Sequence, residues 1–463
     1  MFVGREKEIS KLNALYESGN FEFAVFYGRR RVGKTTLIKE FIRDKASFYY
    51  MAVEGTKSEN LSGLSAAVLS PDSKVSFSTF EELLCYIDRI CDEKRRILVI
   101  DEYPYLAAAY PAISSLLQSH IDQTWQHSKL FLILCGSSMS FMEYQVLGYK
   151  SPLYGRRTAQ FKLQPFTFFE AKQMLTSYTI EEQAVLYGIT GGIPEYLGRI
   201  QSSLDLDSNI KNLFFDENGR LFEEPSNLLK QELKEPASYH SIISAIASGH
   251  SRMNEIATKT GLETGGCSNQ LTSLISLGIV RKTTPITEKE NSRKTLYSLC
   301  DNMFLFWYRF VRPNISAISR GAGAAVYEYI VKPQLNDFMG KIFEEICVQY
   351  IFMPDVYPTL PFYVGNVGKW WGTNPVTKSQ EELDIVGITD DKILLGECKW
   401  RNAPVDVSVL HKLLERGTLF WQEQKYYYIF SKKGFTEEAY AYGRAHNIKL
   451  VSFEEMHGKM YIE

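Results

Sequence analysis

The sequence is poor in cysteine, and its cysteines are not spaced to bind a metal or to form a disulfide framework. None belongs to a CxxC pair, and the seven histidines show no zinc-ligand spacing, so no structural metal is predicted. Scattered thiols are typical of a reducing compartment, which predicts a cytoplasmic protein. The cysteines are Cys85, Cys91, Cys135, Cys267, Cys300, Cys347 and Cys398.

Long hydrophobic runs and a strong net charge are also missing. The longest apolar runs, such as residues 130–135, are far shorter than the roughly 20 residues of a membrane-spanning helix. The first residues lack the basic and apolar segments of a signal peptide, so no membrane partner is expected. The net charge of −2 gives no global attraction to nucleic acid, and any basic surface must be local.

The 463 residues predict about three or four domains, and the first has an α/β pattern. Between residue 21 and about residue 165, short apolar runs alternate with helical patterns. This alternation predicts a parallel sheet with crossover helices. The predicted strands are residues 21–27, 47–51, 97–100, 130–135 and 159–163.

Helical patterns dominate the next part of the chain, and strands return near its end. Helical periodicity covers residues 168–215, and three short helices with two short strands follow between about 236 and 300. Proline and glycine near residues 312–323 predict a linker. Further strands are predicted at residues 382–389, 393–399 and 426–430.

A phosphate-binding loop follows the first apolar strand, in the sequence FAVFYGRRRVGKTT. Gly28 and Gly33 allow backbone N–H groups to surround phosphate oxygens. Lys34 is expected to reach the β- and γ-phosphates, and the Thr35 hydroxyl to bind Mg²⁺, with Thr36 beside it. The strand before this loop and the helix after it favour an ATP site over a chance glycine-rich turn.

Polar residues at the ends of two later strands complete the predicted ATP site. The run ILVIDE places Asp101 to hold Mg²⁺ through water and Glu102 to activate the attacking water. Alternatively, Glu102 is a charged residue in the first turn of a helix. Ser137 is expected to sense the γ-phosphate. Arg156 is a candidate arginine finger for a neighbouring subunit, or an ordinary surface arginine.

These motifs resemble those of the prokaryotic AAA+/STAND-type ATPases catalogued as predominantly archaeal. The sequence FVGRE, with Gly4 and Arg5, resembles their N-terminal adenine-side motif. The sequence TGGIP, with Pro194, resembles the glycine-proline motif of their helical lid, whose proline is thought to lie against the base. From the residues alone, the glycines only end a helix and Pro194 only begins another. The resemblance covers about residues 1–215.

The middle of the chain has a winged-helix pattern. Helices are predicted at residues 239–248, 252–260 and 268–277, followed by a two-stranded wing. The third helix begins with uncharged polar residues, whereas residues 279–294 hold five basic side chains against two acidic ones, which suits phosphate contact. Contact with DNA and a purely structural coupling role are both compatible with this pattern.

The last domain contains the pattern of a metal-dependent nuclease. Asp384 lies in one predicted strand, and Glu397 and Lys399 lie at alternate positions of the next, so they share a face. The acids are expected to bind Mg²⁺ or Mn²⁺, with Glu344 as an outer ligand and Lys399 orienting water. This is the PD-(D/E)xK arrangement. In a second ExK sequence, residues 423–425, Glu423 precedes its strand instead of lying within it, so Glu423 and Lys425 lack that context.

The same region resembles the domain of unknown function that is attached to these ATPases and that is similar in fold to restriction endonucleases. The resemblance rests on FE at residues 343–344, KWWG at 369–372, LDIV at 383–386 and GECKW at 396–400. Some domains of this fold bind nucleic acid without cutting it. The tryptophans of KWWG are interpreted as packing residues.

We therefore predict a multidomain α/β protein with a P-loop AAA+ ATPase core, a helical lid, a winged helix and a restriction-endonuclease-like domain. The predicted function is ATP hydrolysis coupled to an action on DNA, with a nuclease-like domain gated by ATP. The alternatives are an ATP-driven assembly switch with a protein partner or as a homo-oligomer, and a DNA-binding regulator that does not cleave. The predicted boundaries are residues 1–165, 166–225, 226–315 and 320–463.

Overall fold

The computed structural model describes residues 2–69, 76–233, 235–290 and 292–458. The chain divides into two compact units. The first comprises Met1–Phe166 with Ile193–Glu195, and the second comprises Thr167–Gly192 with Tyr196–Glu463. Within the described residues, no helix combines the length and apolar character needed to cross a membrane.

The first unit is built around a parallel sheet in the order β2-β3-β4-β1-β5. Its strands are β1 (Glu22–Tyr27), β2 (Ser47–Met51), β3 (Arg96–Asp101), β4 (Leu130–Gly136) and β5 (Ala159–Lys162). Its helices are α1 (Glu6–Glu17), α2 (Lys34–Ile42), α3 (Lys57–Leu69), α4 (Phe80–Glu93), α5 (Tyr103–Ala109), α6 (Ile113–Gln123) and α7 (Met139–Phe141). All five predicted strands are present, with ends that differ by one residue at most.

Burial explains the nearly continuous apolar sequences of this sheet's central strands. The central strands β1, β3 and β4 are buried almost throughout, because helices cover both faces of the sheet. Their sequences are therefore nearly continuous apolar runs. The edge strands β2 and β5 are partly exposed. The carboxyl ends of the central strands meet at one edge, where the polar residues of the predicted ATP site follow them.

The second unit begins with helices. These are α8 (Phe168–Ala171), α9 (Ile180–Thr190), α10 (Pro194–Leu197, which begins in the first unit), α11 (Leu206–Phe214), α12 (Glu224–Glu232), α13 (Pro236–Ala247), α14 (Met253–Thr260) and α15 (Thr264–Ser276). An antiparallel hairpin of β6 (Val280–Thr283) and β7 (Leu296–Leu299) follows. The three helices and the hairpin predicted for the winged-helix pattern are thus present, with boundaries shifted by up to four residues.

The predicted linker at residues 312–323 is wrong, because this segment is helical and packed. The helices α16 (Asn302–Phe306), α17 (Ile315–Ala317), α18 (Gly323–Val326) and α19 (Leu335–Ile351) are joined by π-helical and 3-10 turns. Gly323 serves close packing, since a Cβ there would lie 1.7 Å from the carbonyl oxygen of Phe215. Tyr327 is buried, and its hydroxyl donates to Asp207 at 2.6 Å. Gly323 therefore allows the backbone to pack closely against Phe215 and does not make the segment a flexible linker.

The chain ends in a mixed sheet in the order β12-β11-β10-β9-β8. Its strands are β8 (Val367–Thr373), β9 (Gln380–Ile388), β10 (Lys392–Lys399), β11 (Gln424–Ser431) and β12 (Ile448–Ser452), with helices α20 (Val407–Gly417), α21 (Glu437–Ala445) and α22 (Phe453–Gly458). The strands β8 to β10 pair antiparallel, and β10 to β12 pair parallel. The sequence did not predict β8, which is partly exposed and irregular, or the short β12. Trp370 packs edge-on against Phe420, as its interpretation as a packing residue requires.

Candidate functional site

The glycines of the phosphate loop are required by its backbone. Gly28 follows β1 with φ of 150°, and a Cβ at this position would lie 2.4 Å from the carbonyl oxygen of Leu163. Gly33 precedes α2 with φ of 92°, a left-handed conformation that glycine adopts without strain. The loop therefore wraps tightly around the N-terminus of α2, where backbone N–H groups and the helix dipole favour a phosphate.

Lys34 lies inside this loop at the first residue of α2. Its ammonium group donates to the carbonyl oxygens of Gly28 at 2.7 Å and of Arg29 at 2.8 Å. These contacts hold the positive charge at the centre of the loop. Phosphate oxygens of a bound nucleotide offer the same group stronger, charge-assisted hydrogen bonds.

Asp101 lies at the end of β3, close to the phosphate loop, as the sequence predicted. It is almost fully buried, and its Oδ2 atom accepts hydrogen bonds from the Thr35 hydroxyl at 2.7 Å and from the Tyr49 hydroxyl at 2.7 Å. Burial and the contact with Asp101 raise the pKa of Tyr49, so its hydroxyl stays protonated and donates. Sequence reasoning missed Tyr49, whose only signal is its place in β2, the strand that pairs with β3.

Tyr49→Phe tests whether Tyr49 positions Asp101 for the metal of MgATP. We expect the Mg²⁺ concentration for half-maximal ATP turnover to rise about tenfold, because a hydrogen bond to a charged group contributes roughly 1.5–3 kcal/mol. Nucleotide affinity without Mg²⁺ should not change. Tyr50→Phe is the matched control, since its hydroxyl donates to Asn60 at 2.8 Å instead. An equal shift in both variants would contradict this role.

Glu102 and Ser137 meet at the ends of the adjacent strands β3 and β4. The Glu102 Oε2 atom accepts from the Ser137 hydroxyl at 2.9 Å and from the Ser137 backbone N–H at 3.3 Å. The Glu102 backbone is left-handed, with φ of 49°, which is uncommon for a residue other than glycine. The carboxylate is therefore aimed at the neighbouring strand end rather than at its own helix.

The N-terminal motif is tied to the same loop. The guanidinium of Arg5, buried in this unit, donates to the carbonyl oxygens of Val32 at 3.2 Å and of Gln164 at 2.7 Å. Gly4 precedes it with φ of 71°, and its N–H donates to Glu6 at 3.0 Å. Arg5 therefore braces the phosphate loop through backbone contacts, and a direct contact with the base stays a prediction.

Pro194 and Thr36 also lie near the loop. The Pro194 Cγ atom is 3.9 Å from the position that a Cβ on Gly33 would occupy. The TGGIP sequence thus returns to the phosphate loop despite its distance along the chain. Thr36 is exposed in the first turn of α2.

Within the part of the chain that the structure describes, Arg156 contacts an acid and two carbonyl groups away from the phosphate loop. Its guanidinium donates to both carboxylate oxygens of Asp122, at 2.6 and 2.7 Å, and to the carbonyl oxygens of Pro152 and Tyr154. The Asp122 contact raises the pKa of Arg156 further above its ordinary value. A role as an arginine finger, which stays a prediction, requires this ion pair to break first.

The predicted nuclease residues lie on adjacent strands of the C-terminal sheet. Asp384 is on β9. Glu397 and Lys399 share one face of β10 and form an ion pair with each other. The Asp384 Oδ2 atom accepts from the backbone N–H of Cys398 at 2.9 Å. Burial is the largest of the causes that raise the pKa of Asp384 to about 7. The nearby negative charges of Glu344 on α19 and of Glu397 also raise this pKa.

Two of these acids, Glu397 and Glu344, form ion pairs with basic side chains from other elements. Arg416 on α20 contacts Glu397 at 2.8 Å and Glu381 at 2.9 Å, and Lys369 on β8 forms an ion pair with Glu344. In the part of the chain that the structure describes, the predicted ligands Glu344, Asp384 and Glu397 do not bring their oxygens within 4.8 Å as a set of three. Sequence reasoning missed Arg416, because nothing near it in the chain marks it.

The basic wing residues of the second unit point to solvent. Those predicted for phosphate contact and found exposed are Arg281, Lys282, Lys289, Arg293 and Lys294. Lys294 also contacts Glu288 at 2.7 Å. Asn291, within the predicted wing, lies outside the described residues. A local basic surface therefore exists on a chain with no net positive charge.

Comparisons with known proteins give family matches to two parts of the chain. Residues 2–200 match the ATPase domain predominantly from Archaea, and residues 307–412 match a domain of archaeal and bacterial proteins of unknown function. The uncharacterized protein MJECL04 of Methanocaldococcus jannaschii is 34% identical over 442 residues, covering 94% of this chain and 96% of the relative. The uncharacterized ATP-binding protein MJ0423 of that organism is 44% identical over 45 residues, or 10% of this chain and 76% of the relative.

A solved structure shows the same fold over much of the chain. The Walker-type ATPase PABY2304 of Pyrococcus abyssi is similar with a TM-score of 0.50 and 18% sequence identity. The similarity covers 66% of this chain and 96% of that protein. The domain match and the geometry of the phosphate loop agree, and together they identify an ATPase.

Proposed function

This chain belongs to the same family as MJECL04 and carries an archaeal-type ATPase domain, and we propose that its ATP hydrolysis controls an action of its C-terminal region on DNA. The first unit supplies the ATPase. The second unit carries the proposed lid, winged helix and nuclease-like domain, divided as the sequence predicts. The observation that carries the proposal is the placement of Asp384, Glu397 and Lys399 together on one sheet.

The residues of the first unit fit MgATP. The Thr35 hydroxyl and the Asp101 carboxylate, 2.7 Å apart beside the phosphate loop, are the donor set that Mg²⁺ prefers. Bound there, Mg²⁺ would neutralise charge on the phosphates. In the proposed mechanism, Lys34 moves from loop carbonyls to the β- and γ-phosphates, and Glu102 accepts a proton from the attacking water. Ser137 holds the Glu102 carboxylate in place and acts as the polar sensor of the γ-phosphate.

The carboxylates of the second unit support metal-dependent phosphodiester hydrolysis. Glu344, Asp384 and Glu397 influence one another electrostatically, and acids so grouped are typical of divalent-cation sites. Bound Mg²⁺ or Mn²⁺ would lower the pKa of a water and polarise the phosphate. Lys399 would steady the charge that develops on the phosphate. The exposed basic wing supplies contacts to the DNA backbone.

A second candidate is an ATP-driven switch whose C-terminal domain binds DNA or a protein without cutting. One observation favours it. Arg416 contacts the Oε2 atom of Glu397, one of the predicted metal ligands, and Arg416 is itself anchored by Glu381. Removing one partner of such a pair is costly, so the pair resists opening.

A cleavage assay separates the two candidates. Plasmid DNA, linear DNA and RNA are incubated with the full chain in Mg²⁺ or Mn²⁺, with and without ATP, beside Lys34→Ala. Cutting that changes with ATP in the wild type but not in Lys34→Ala supports the ATP-gated nuclease. No cutting of any substrate, with ATP turnover intact, supports the switch.

Arg416→Gln shows whether the ion pair closes the site. If it does, the variant should bind Mn²⁺ about tenfold more tightly, since a charge-assisted contact contributes roughly 1.5–3 kcal/mol. Isothermal titration calorimetry with the wild type and Glu397→Gln measures this difference. Unchanged Mn²⁺ affinity would show that Arg416 supports the fold and does not block the metal.

A further inference from the structure

A second group of metal-ligating side chains lies in the first unit. Cys85 and Asp88 are three residues apart on α4, so they share one face of that helix. His120 faces them from α6. One ligand atom from each residue lies within 4.8 Å of those of the other two. Cys85 is exposed, and the other two are partly buried.

The spacing of these atoms is close to that of a zinc site. The Nδ1 atom of His120 is 3.1 Å from both carboxylate oxygens of Asp88. In a tetrahedral Zn²⁺ site, bonds of about 2.0–2.3 Å place neighbouring ligand atoms roughly 3.3–3.7 Å apart. Shifts of about 1 Å in the side chains therefore suffice to complete three bonds.

A neighbouring tryptophan already holds the Asp88 carboxylate in position. Trp125 is fully buried, and its indole N–H donates to the Oδ1 atom of Asp88 at 2.5 Å. The Trp125 ring also lies beside the His120 imidazole, with ring centroids 5.5 Å apart. Partners that fix the orientation of metal ligands are a usual part of zinc sites. Oδ2 remains on the side of Asp88 that faces His120.

We propose that Cys85, Asp88 and His120 bind one Zn²⁺ ion and that solvent supplies the fourth ligand. The Cys85 thiol loses its proton to solvent when it binds the metal, and His120 binds as a neutral imidazole whose proton lies on the ring nitrogen that does not contact the ion. A thiolate and an imidazole select Zn²⁺ over Mg²⁺, so this site is distinct from that of MgATP. The ion would join α4 to α6 and stabilise the ATPase unit. The proposal does not depend on any activity of the second unit.

Cobalt and zinc titrations of the full chain test the site. Co²⁺ bound here should give an intense near-ultraviolet thiolate band, and Zn²⁺ should displace it with one equivalent per chain. Cys85→Ser should remove the band, and both Cys85→Ser and Asp88→Asn should weaken Zn²⁺ binding at least about tenfold, since even the partners that orient metal ligands contribute roughly 10–100-fold. Cys300→Ser, at a partly exposed cysteine of the second unit, is the matched control and should bind like the wild type.

Thermal unfolding provides a second readout. A stoichiometric excess of Zn²⁺ should raise the Tm of the wild type and of Cys300→Ser, but not that of Cys85→Ser, because only a bound ion stabilises the folded state. Cys85 is exposed, so the serine variant should fold. Absence of a thiolate band in the wild type, or a band that persists in Cys85→Ser, would overturn the proposal. The cluster would then be a hydrogen-bonded contact between helices.

Discussion

Glu102→Gln should bind ATP as tightly as the wild type and hydrolyse it at least about 100-fold more slowly. The amide keeps the size of the side chain and can still contact Ser137, whose hydroxyl lies 2.9 Å from the Glu102 carboxylate. It cannot accept a proton from the attacking water. Fluorescent-nucleotide titration and phosphate release measured on the same preparation separate the two effects.

Glu143→Gln is the matched control for this substitution. Glu143 lies in the same unit but forms a surface ion pair with Lys162 at 2.8 Å. Such pairs contribute little, so neither binding nor turnover should change. If Glu102→Gln hydrolyses ATP at the wild-type rate, Glu102 is only a charged residue at the start of α5, and the catalytic base must be sought elsewhere.

If the proposed nuclease is active, Lys399→Ala should reduce metal-dependent DNA cleavage about 1,000-fold, the loss expected when transition-state charge stabilisation is removed. Lys399 is the basic residue that shares the strand face of Glu397. ATP turnover should be unaffected, because the phosphate loop lies in the other unit. Cleavage rates on labelled linear DNA, in Mn²⁺ and with ATP, provide the measurement.

The second ExK sequence offers an internal control. Lys425→Ala changes the lysine of that sequence, which lies at the start of β11 next to Gln424. It should cut DNA like the wild type. Equal losses in both variants would indicate a general weakening of DNA binding, and no loss in either would remove Lys399 from the chemistry.

The phosphate loop was predictable because its parts are contiguous. Gly28, Gly33, Lys34 and Thr35 lie within eight residues, and an apolar strand before them sets their position in the sheet. Asp101 is the last residue of a second buried strand and was predicted in the same way. The structure brings Thr35 and Asp101 together at 2.7 Å.

The remaining site residues come together only through folding. Tyr49 reaches Asp101 because β2 pairs with β3, and Arg416 reaches Glu397 because α20 packs on β10. His120 is 32 residues from Asp88 along the chain, so no local spacing rule finds their contact. Local patterns report what one segment does, whereas these contacts depend on which segments become neighbours.

The incorrect prediction of a linker at residues 312–323 has a related cause. Proline and glycine near residues 312–323 break local helical preference, which favours a connection. The apolar residues around them, including Phe310 and Val326, are buried and keep the segment helical through bends. Packing decided the conformation there, as it does for most helices in globular proteins.

The central claim is that the phosphate loop hydrolyses ATP, and steady-state phosphate release tests it most directly. The purified full chain is assayed with ATP and Mg²⁺ beside Lys34→Ala and in the presence of EDTA. We predict turnover by the wild type that both Lys34→Ala and EDTA abolish. Nucleotide binding without turnover, or turnover that persists in Lys34→Ala, would contradict the claim.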